Sequence, residues 1–129
     1  MSTTPSPLAS ARIVAFAATG DTARARAFYR DTLGLTLVSE DPFALVFDVQ
    51  GIMLRVTPVK QVAAAPYTVL GWQVPDIAAA VAALSGAGVR FEHYGLPGQD
   101  QRGIWTAHGG AQVAWFQDPD GNLLSLTQF

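Results

Sequence analysis

The sequence predicts an α+β domain built from two tandem copies of a strand–helix–three-strand unit (βαβββ), giving a mixed sheet with the helices on its outer face. Three observations carry this. Apolar runs of strand length are interrupted by only two helical stripes, each opening on an aspartate, Asp21 and Asp76. Setting those aspartates on each other brings Gly34 within one residue of Gly88, and the turn glycines Gly51 and Gly121 pair as the residues just before the last strand of each half. Each half, about 50 to 60 residues long, buries too little surface to stand alone, so the halves are expected to share one core. With 129 residues and 50% hydrophobic content the chain fits a single domain. The domain is placed at residues 12–128, with half-repeats at 12–57 and 67–128. A Ser/Thr/Pro-rich segment, residues 1–11, is expected to be flexible and to fray.

In the first half, Arg12 to Thr19 is an apolar, partly β-branched strand. Asp21 is an N-cap, followed by Ala25, Phe28, Tyr29 and Leu33 at helical spacings of three and four, with Gly34 as the stop. Leu35–Ser39 and Phe43–Val49 read as strands around the Asp41-Pro42 turn. Gln50-Gly51 is a tight hairpin turn into Ile52–Thr57. Residues 58–66, with two prolines and an alanine run, form an irregular connector. In the second half, Tyr67–Val74 is a strand, and Asp76 caps a helix whose buried stripe is Ile77, Ala80, Val81 and Leu84. Gly86 and Gly88 stop it, and Val89–Glu92 resumes strand character. His93–Gly103 is a polar loop. Ile104–Thr106, Gln112–Gln117 and Asn122–Gln128 are extended, the last two joined by the turn Asp118-Pro119-Asp120-Gly121.

Composition removes several function classes. Cysteine is absent, which excludes thiolate nucleophiles, disulfides and cysteine metal sites. Eight Lys plus Arg and a net charge of −2, without a basic cluster, argue against nucleic acid. No apolar run reaches the length of a membrane span. Met1–Ser10 lacks the charge and the apolar core of a signal peptide, so a cytoplasmic protein is expected.

Three stretches resemble the glyoxalase/bleomycin resistance/dioxygenase (vicinal oxygen chelate, VOC) superfamily: Gly20–Gly34 (GDTARARAFYRDTLG), Val74-Pro75-Asp76-Ile77 through Leu84, and Asp118-Pro119-Asp120-Gly121-Asn122. The resemblance covers Arg12 to Gln128. It implies that the two βαβββ modules curve into a cup that holds a ligand. In metal-dependent members, His or Gln from the first strand of each half and Glu from the last strand of each half hold a divalent ion, which chelates neighbouring substrate oxygens. Here those positions fall on Val14 and Val69, and on Arg55 and Ser125; a shift of one residue offers Leu54 and Leu124. None is a carboxylate or an imidazole, so no metal and no other cofactor is expected.

Strand alternation then selects the cup lining. Phe16, Met53, Arg55, Gln73, Trp105, Trp115 and Ser125 are the candidate ligand-binding residues, with Val14, Val69, Gly71, Val113 and Leu123 sharing their face. Phe116, Trp72 and Phe28 are assigned to core packing. Arg55 has two readings, an anion-binding cation or an ion pair with Asp48 or Glu92. Trp105 is either a rim aromatic or a dimer contact. His93 and His108 lie in loops without metal spacing, and Ser125 has no His–Asp arrangement beside it.

The expected function is a metal-free small-molecule-binding protein that holds an aromatic or anionic ligand in an apolar cup, as the drug-sequestering members of this superfamily do. The resemblance also implies a homodimer. An enzyme with a non-standard or metal-independent site, whether lyase, isomerase or dioxygenase, stays open as the alternative, as does a structural domain with a filled cup.

Overall fold

The computed structural model describes residues 6–129, so residues 1–5 of the N-terminal segment lie outside the described part. The first half runs β1 (Val14–Thr19), α1 (Thr22–Arg26), β2 (Thr36–Asp41), β3 (Ala44–Val49) and β4 (Ile52–Pro58). The second runs β5 (Leu70–Gln73), α2 (Ile77–Gly86), β6 (Trp105–Thr106), β7 (Gln112–Gln117) and β8 (Leu123–Gln128). The strand orders are β1-β4-β3-β2 and β5-β8-β7-β6, one pattern used twice. In each sheet the first strand pairs parallel to the last, and the remaining pairs are antiparallel. Two separate four-stranded mixed sheets thus replace one continuous sheet, with β1 and β5 as edges.

Both helices begin as the sequence requires. Asp21 Oδ1 accepts the Arg24 N–H at 3.1 Å, and Asp76 Oδ1 accepts the Ala79 N–H at 3.1 Å. The first helix then widens into a π-helical turn, Ala27–Thr32, in which the Leu33 N–H reaches the Phe28 carbonyl at 2.9 Å. The expected helical face survives this widening: Ala25 and Tyr29 are fully buried, while Phe28 and Leu33 pack against the core. That core is continuous through the molecule. It joins Ala25, Tyr29, Phe47 and Leu54 of the first half to Ile77, Val81, Phe116 and Leu124 of the second.

Turn chemistry also follows the sequence. Gln50 and Gly51 have φ of 51° and 81°, the pair of positive values that a two-residue type I′ hairpin demands. Asp118–Asn122 forms a tight reversal that fastens the second half to the first. Asp118 Oδ1 accepts the Asp120 and Asn122 N–H groups, both at 2.9 Å. Its Oδ2 accepts the Tyr29 hydroxyl at 2.6 Å and Asn122 Nδ2 at 2.7 Å. Asn122 Nδ2 also donates to the Ala18 carbonyl, and Asp120 accepts from the Thr19 hydroxyl at 2.6 Å and the Gly20 N–H at 2.9 Å.

The strand expected at Val89–Glu92 does not form. A single bridge, Phe91 to Phe116, stands in its place. The Val89 N–H is taken by the Leu84 carbonyl in the helix C-cap, and the Gln99 side chain binds both the Glu92 carbonyl and the Tyr94 N–H. Local partners thus occupy the backbone groups that a ladder would use. The fifth strand is also shorter than Tyr67–Val74, although Val69 and Val74 still donate to Leu123 and Thr127 of its neighbour region.

Candidate functional site

Register decides which side chains leave the core. Across the first sheet, Phe16, Arg55 and Val46 form one row, and Val14, Met53 and Asp48 the next. Leu54 and Val56, which alternate with Met53 and Arg55, are buried in the core. The one-residue alternative is thereby settled: Leu54 and Leu124 face the helices, while Arg55 and Ser125 lie on the opposite, open faces. On that face of the first sheet, Phe16 is 61% exposed, Met53 40% and Val14 39%.

Across the second sheet the open rows are Gly71, Ser125 and Trp115, then Gln73, Thr127, Val113 and Trp105. Trp115 is the hub of an aromatic wall: Trp105 lies 5.9 Å away, and Tyr94 meets it edge-on at 5.4 Å. Trp105 is held by its indole N–H, which donates to the Pro97 carbonyl at 3.1 Å. Burial first, then the charge of Glu92, holds the Tyr94 phenol above its ordinary pKa, so it is a donor at neutral pH. Tyr94 was missed by the sequence reading. Its signal was its place two residues after Glu92, whose N–H bonds the Trp115 carbonyl at 2.8 Å. Phe116, Trp72 and Phe28 pack in or against the core as expected.

Arg55 forms an ion pair with neither Asp48 nor Glu92. The ion pairs among the described residues are Arg24–Asp120, Arg26–Glu40, Arg30–Asp31 and Arg102–Asp100. Nor do the side chains of Arg55, Gln73 and Ser125 share in the side-chain hydrogen bonds that tie down Asp118, Asp120 and Asn122. The histidines stand elsewhere. His93 Nε2 donates to the Gln101 carbonyl at 2.9 Å and lines a helix-side cleft with Val81 and Ser85, while His108 is exposed in a loop.

The cavities beside these faces are lined differently. A cavity of about 470 Å³ is lined by Arg12, Val14, Val46, Asp48 and Met53 of the first sheet without any second-sheet residue. A second, of about 410 Å³, runs between the β1–β4 side and β5 and reaches Gly71 and Gln73. Neither is lined by both Arg55 and Trp115.

This duplicated architecture has a counterpart in a known sequence family. The family model for the glyoxalase/bleomycin resistance protein/dioxygenase superfamily matches residues 11–126. The chain belongs to that superfamily. Among solved structures, lactoylglutathione lyase from Agrobacterium tumefaciens shares its fold at a TM-score of 0.72 and 19% identity, covering 92% of this chain and 93% of that one. A glyoxalase/bleomycin resistance protein/dioxygenase from Alicyclobacillus acidocaldarius matches at 0.71 and 18%, covering 93% and 92%. A protein of the same description from Nocardioides matches at 0.71 and 18%, covering 98% and 86%. No curated protein matches by sequence. At these identities the likeness speaks for the fold.

The metal chemistry of the superfamily does not fit this chain's donor set. Two of the four positions are valine, which has no lone pair; one is Arg55, a permanent cation; the last is the neutral hydroxyl of Ser125. Among the described residues no three His, Cys, Asp or Glu side chains gather where an ion could sit. No helix there is long and apolar enough to cross a membrane.

Proposed function

We propose that this VOC-superfamily chain is a metal-free small-molecule-binding protein whose two open faces take an aromatic anion, of the drug-binding or sequestering type. One observation carries the reading. The polar groups of these faces, Arg55, Gln73 and Ser125, have no side-chain partner within the chain while standing among Phe16, Met53, Trp105 and Trp115. Among the described residues no fully buried side-chain nitrogen or oxygen is left unpaired. A free guanidinium beside the Phe16 ring suits a carboxylate carried on a flat ring.

Because the two faces do not share a cavity within one chain, the reading includes a homodimer in which a second copy brings the missing wall. The lactoylglutathione lyase likeness names the enzymatic alternative. It finds less support, since His93 is engaged on the helix side and neither histidine belongs to the open rows.

The test is calorimetric titration of the full-length protein with 2-naphthoate, with molar mass measured by light scattering. Saturable binding by a dimer is expected. Affinity should fall about tenfold or more in Arg55→Ala and in Trp115→Ala, with the melting temperature of each variant measured to show that it is folded at the temperature of the titration. Absence of saturable binding by the wild type, or binding indifferent to both substitutions, overturns the reading.

A further inference from the structure

The duplicated sheets place equivalent rows at equivalent heights, and the two rows have diverged in opposite directions. In the first half the row is Phe16, Arg55 and Val46. In the second it is Gly71, Ser125 and Trp115. A large aromatic in the first strand of one half is matched by no side chain in the first strand of the other, and a small residue in the third strand by an indole. The second sheet therefore has a notch: bare backbone at Gly71, a hydroxyl at Ser125 and the flat face of Trp115 beside them.

Two measurements give the notch chemical meaning. Ser125 is 7% exposed, yet its hydroxyl has no hydrogen-bond partner among the described residues, although no polar side-chain atom there is both fully enclosed and unpaired. The hydroxyl therefore keeps a narrow opening toward the cup. A Cβ placed on Gly71 would lie 2.9 Å from Ser125 Oγ, closer than real contacts allow. Yet Gly71 has no positive φ to require glycine. What glycine provides at this position is space over the hydroxyl.

We propose that Gly71 and Ser125 form a specificity subsite, flanked by Trp115, that selects a flat aromatic ligand bearing a ring hydroxyl. The ring lies along Trp115, and its hydroxyl enters the notch to exchange a hydrogen bond with Ser125 Oγ, which can donate or accept. Gly71 sets the size limit. This subsite rests on the cup-binding reading above, and the experiment separates the two.

Full-length protein is titrated calorimetrically with 2-naphthoate and with its 1-hydroxy, 3-hydroxy and 6-hydroxy derivatives, so that the ring position that reaches the notch need not be known beforehand. At least one hydroxylated isomer is expected to bind about five- to tenfold tighter than 2-naphthoate, the worth of one well-made neutral hydrogen bond. Ser125→Ala should erase that advantage, so that the hydroxylated isomers bind this variant no tighter than 2-naphthoate does. Gly71→Ala should erase it as well, with the melting temperature measured alongside. If packing fails in Gly71→Ala, Ser125→Ala, which removes atoms without adding any, decides alone. Equal binding of all four probes through Trp115, or a hydroxyl preference that survives Ser125→Ala, overturns the subsite and leaves the cup standing. If no naphthoate binds, both are overturned.

Discussion

Substituting Tyr29 by phenylalanine removes one oxygen and tests how the two halves are joined. Tyr29 is fully buried, and its hydroxyl donates to Asp118 Oδ2 at 2.6 Å across 89 positions of sequence. The phenylalanine ring fills the same space, keeping contact with Phe28 at 5.2 Å and Phe47 at 5.9 Å between ring centroids. The change therefore isolates one hydrogen bond to a buried carboxylate, worth about 1.5–3 kcal/mol. Asp118 keeps three other donors, the N–H groups of Asp120 and Asn122 and the Asn122 side chain, so the loss should be about 2 kcal/mol, or about 7 °C in melting temperature for a chain of this size. The pH dependence supplies a sharper check. Burial first, then the charge of Asp118, the hydrogen bond to it and the charge of Asp120, push the Tyr29 phenol well above its ordinary range. A group whose pKa is raised by folding contributes fully below its unfolded value of about 10, and that contribution drains away as pH climbs toward the folded value. Between pH 9 and 11 the wild type should lose about 1.4 kcal/mol from this tyrosine, and Tyr29→Phe nothing from that position. Urea unfolding followed by far-UV circular dichroism at pH 7, 9 and 11 measures both. A deficit below about 0.5 kcal/mol at pH 7, or one that does not narrow between pH 9 and 11, refutes the account.

Asp76→Ala should cost about 1 kcal/mol, or about 4 °C in a thermal melt, because the Ala79 N–H loses its cap. Asp76→Asn should recover most of that, whereas an equal loss in both would assign the effect to charge. Zinc, manganese or nickel added in tenfold excess to chelator-treated protein should raise the melting temperature by less than about 1 °C, since an ion that the native donor set does not hold gives no stabilisation by mass action. A stoichiometric stabilisation of several degrees would return the superfamily's chelate chemistry to this chain.

Much of the fold was legible because it is written in local chemistry. Asp21 and Asp76 each cap a helix, Gln50-Gly51 makes the hairpin turn, and the Asp118–Asn122 reversal sits where its residues require. The duplication was legible for the same reason, since each of these signals recurs at corresponding places. What escaped was set by competition for backbone partners that composition does not reveal. Val89–Glu92 has strand composition, but a helix cap and the Gln99 amide take its backbone partners first. The π-helical turn at Ala27–Thr32 has no sequence signature at that spacing, because Phe28, Tyr29 and Leu33 satisfy an α-helical stripe equally well. In the candidate site, strand register puts Phe16, Met53 and Arg55 on one face of the first sheet and Gln73, Trp105, Trp115 and Ser125 on one face of the second. Alternation alone had no means of showing which face of the first sheet stands towards which face of the second. That depends on how the halves dock through Tyr29, Asp118 and the shared core.

The docking explains why the two faces were free to diverge. The turn at Asp118–Asn122 and the common core fix the helix-facing sides of both sheets, where Leu54 and Leu124 occupy equivalent positions and both are buried. Any substitution there leaves a void or a strain felt by both halves. The opposite faces carry no such constraint from within the chain, and at their equivalent positions the residues differ in charge and size: Phe16 against Gly71, Arg55 against Ser125, Val46 against Trp115. A duplicated pair serving only as scaffold has no reason to put a bulky aromatic and a cation on one wall and a notch on the other. The proposed function supplies one: two walls that grip opposite ends of one asymmetric ligand. On that proposal the polar end meets Arg55, and the ring, with its edge substituent, meets Trp115 and the space over Ser125.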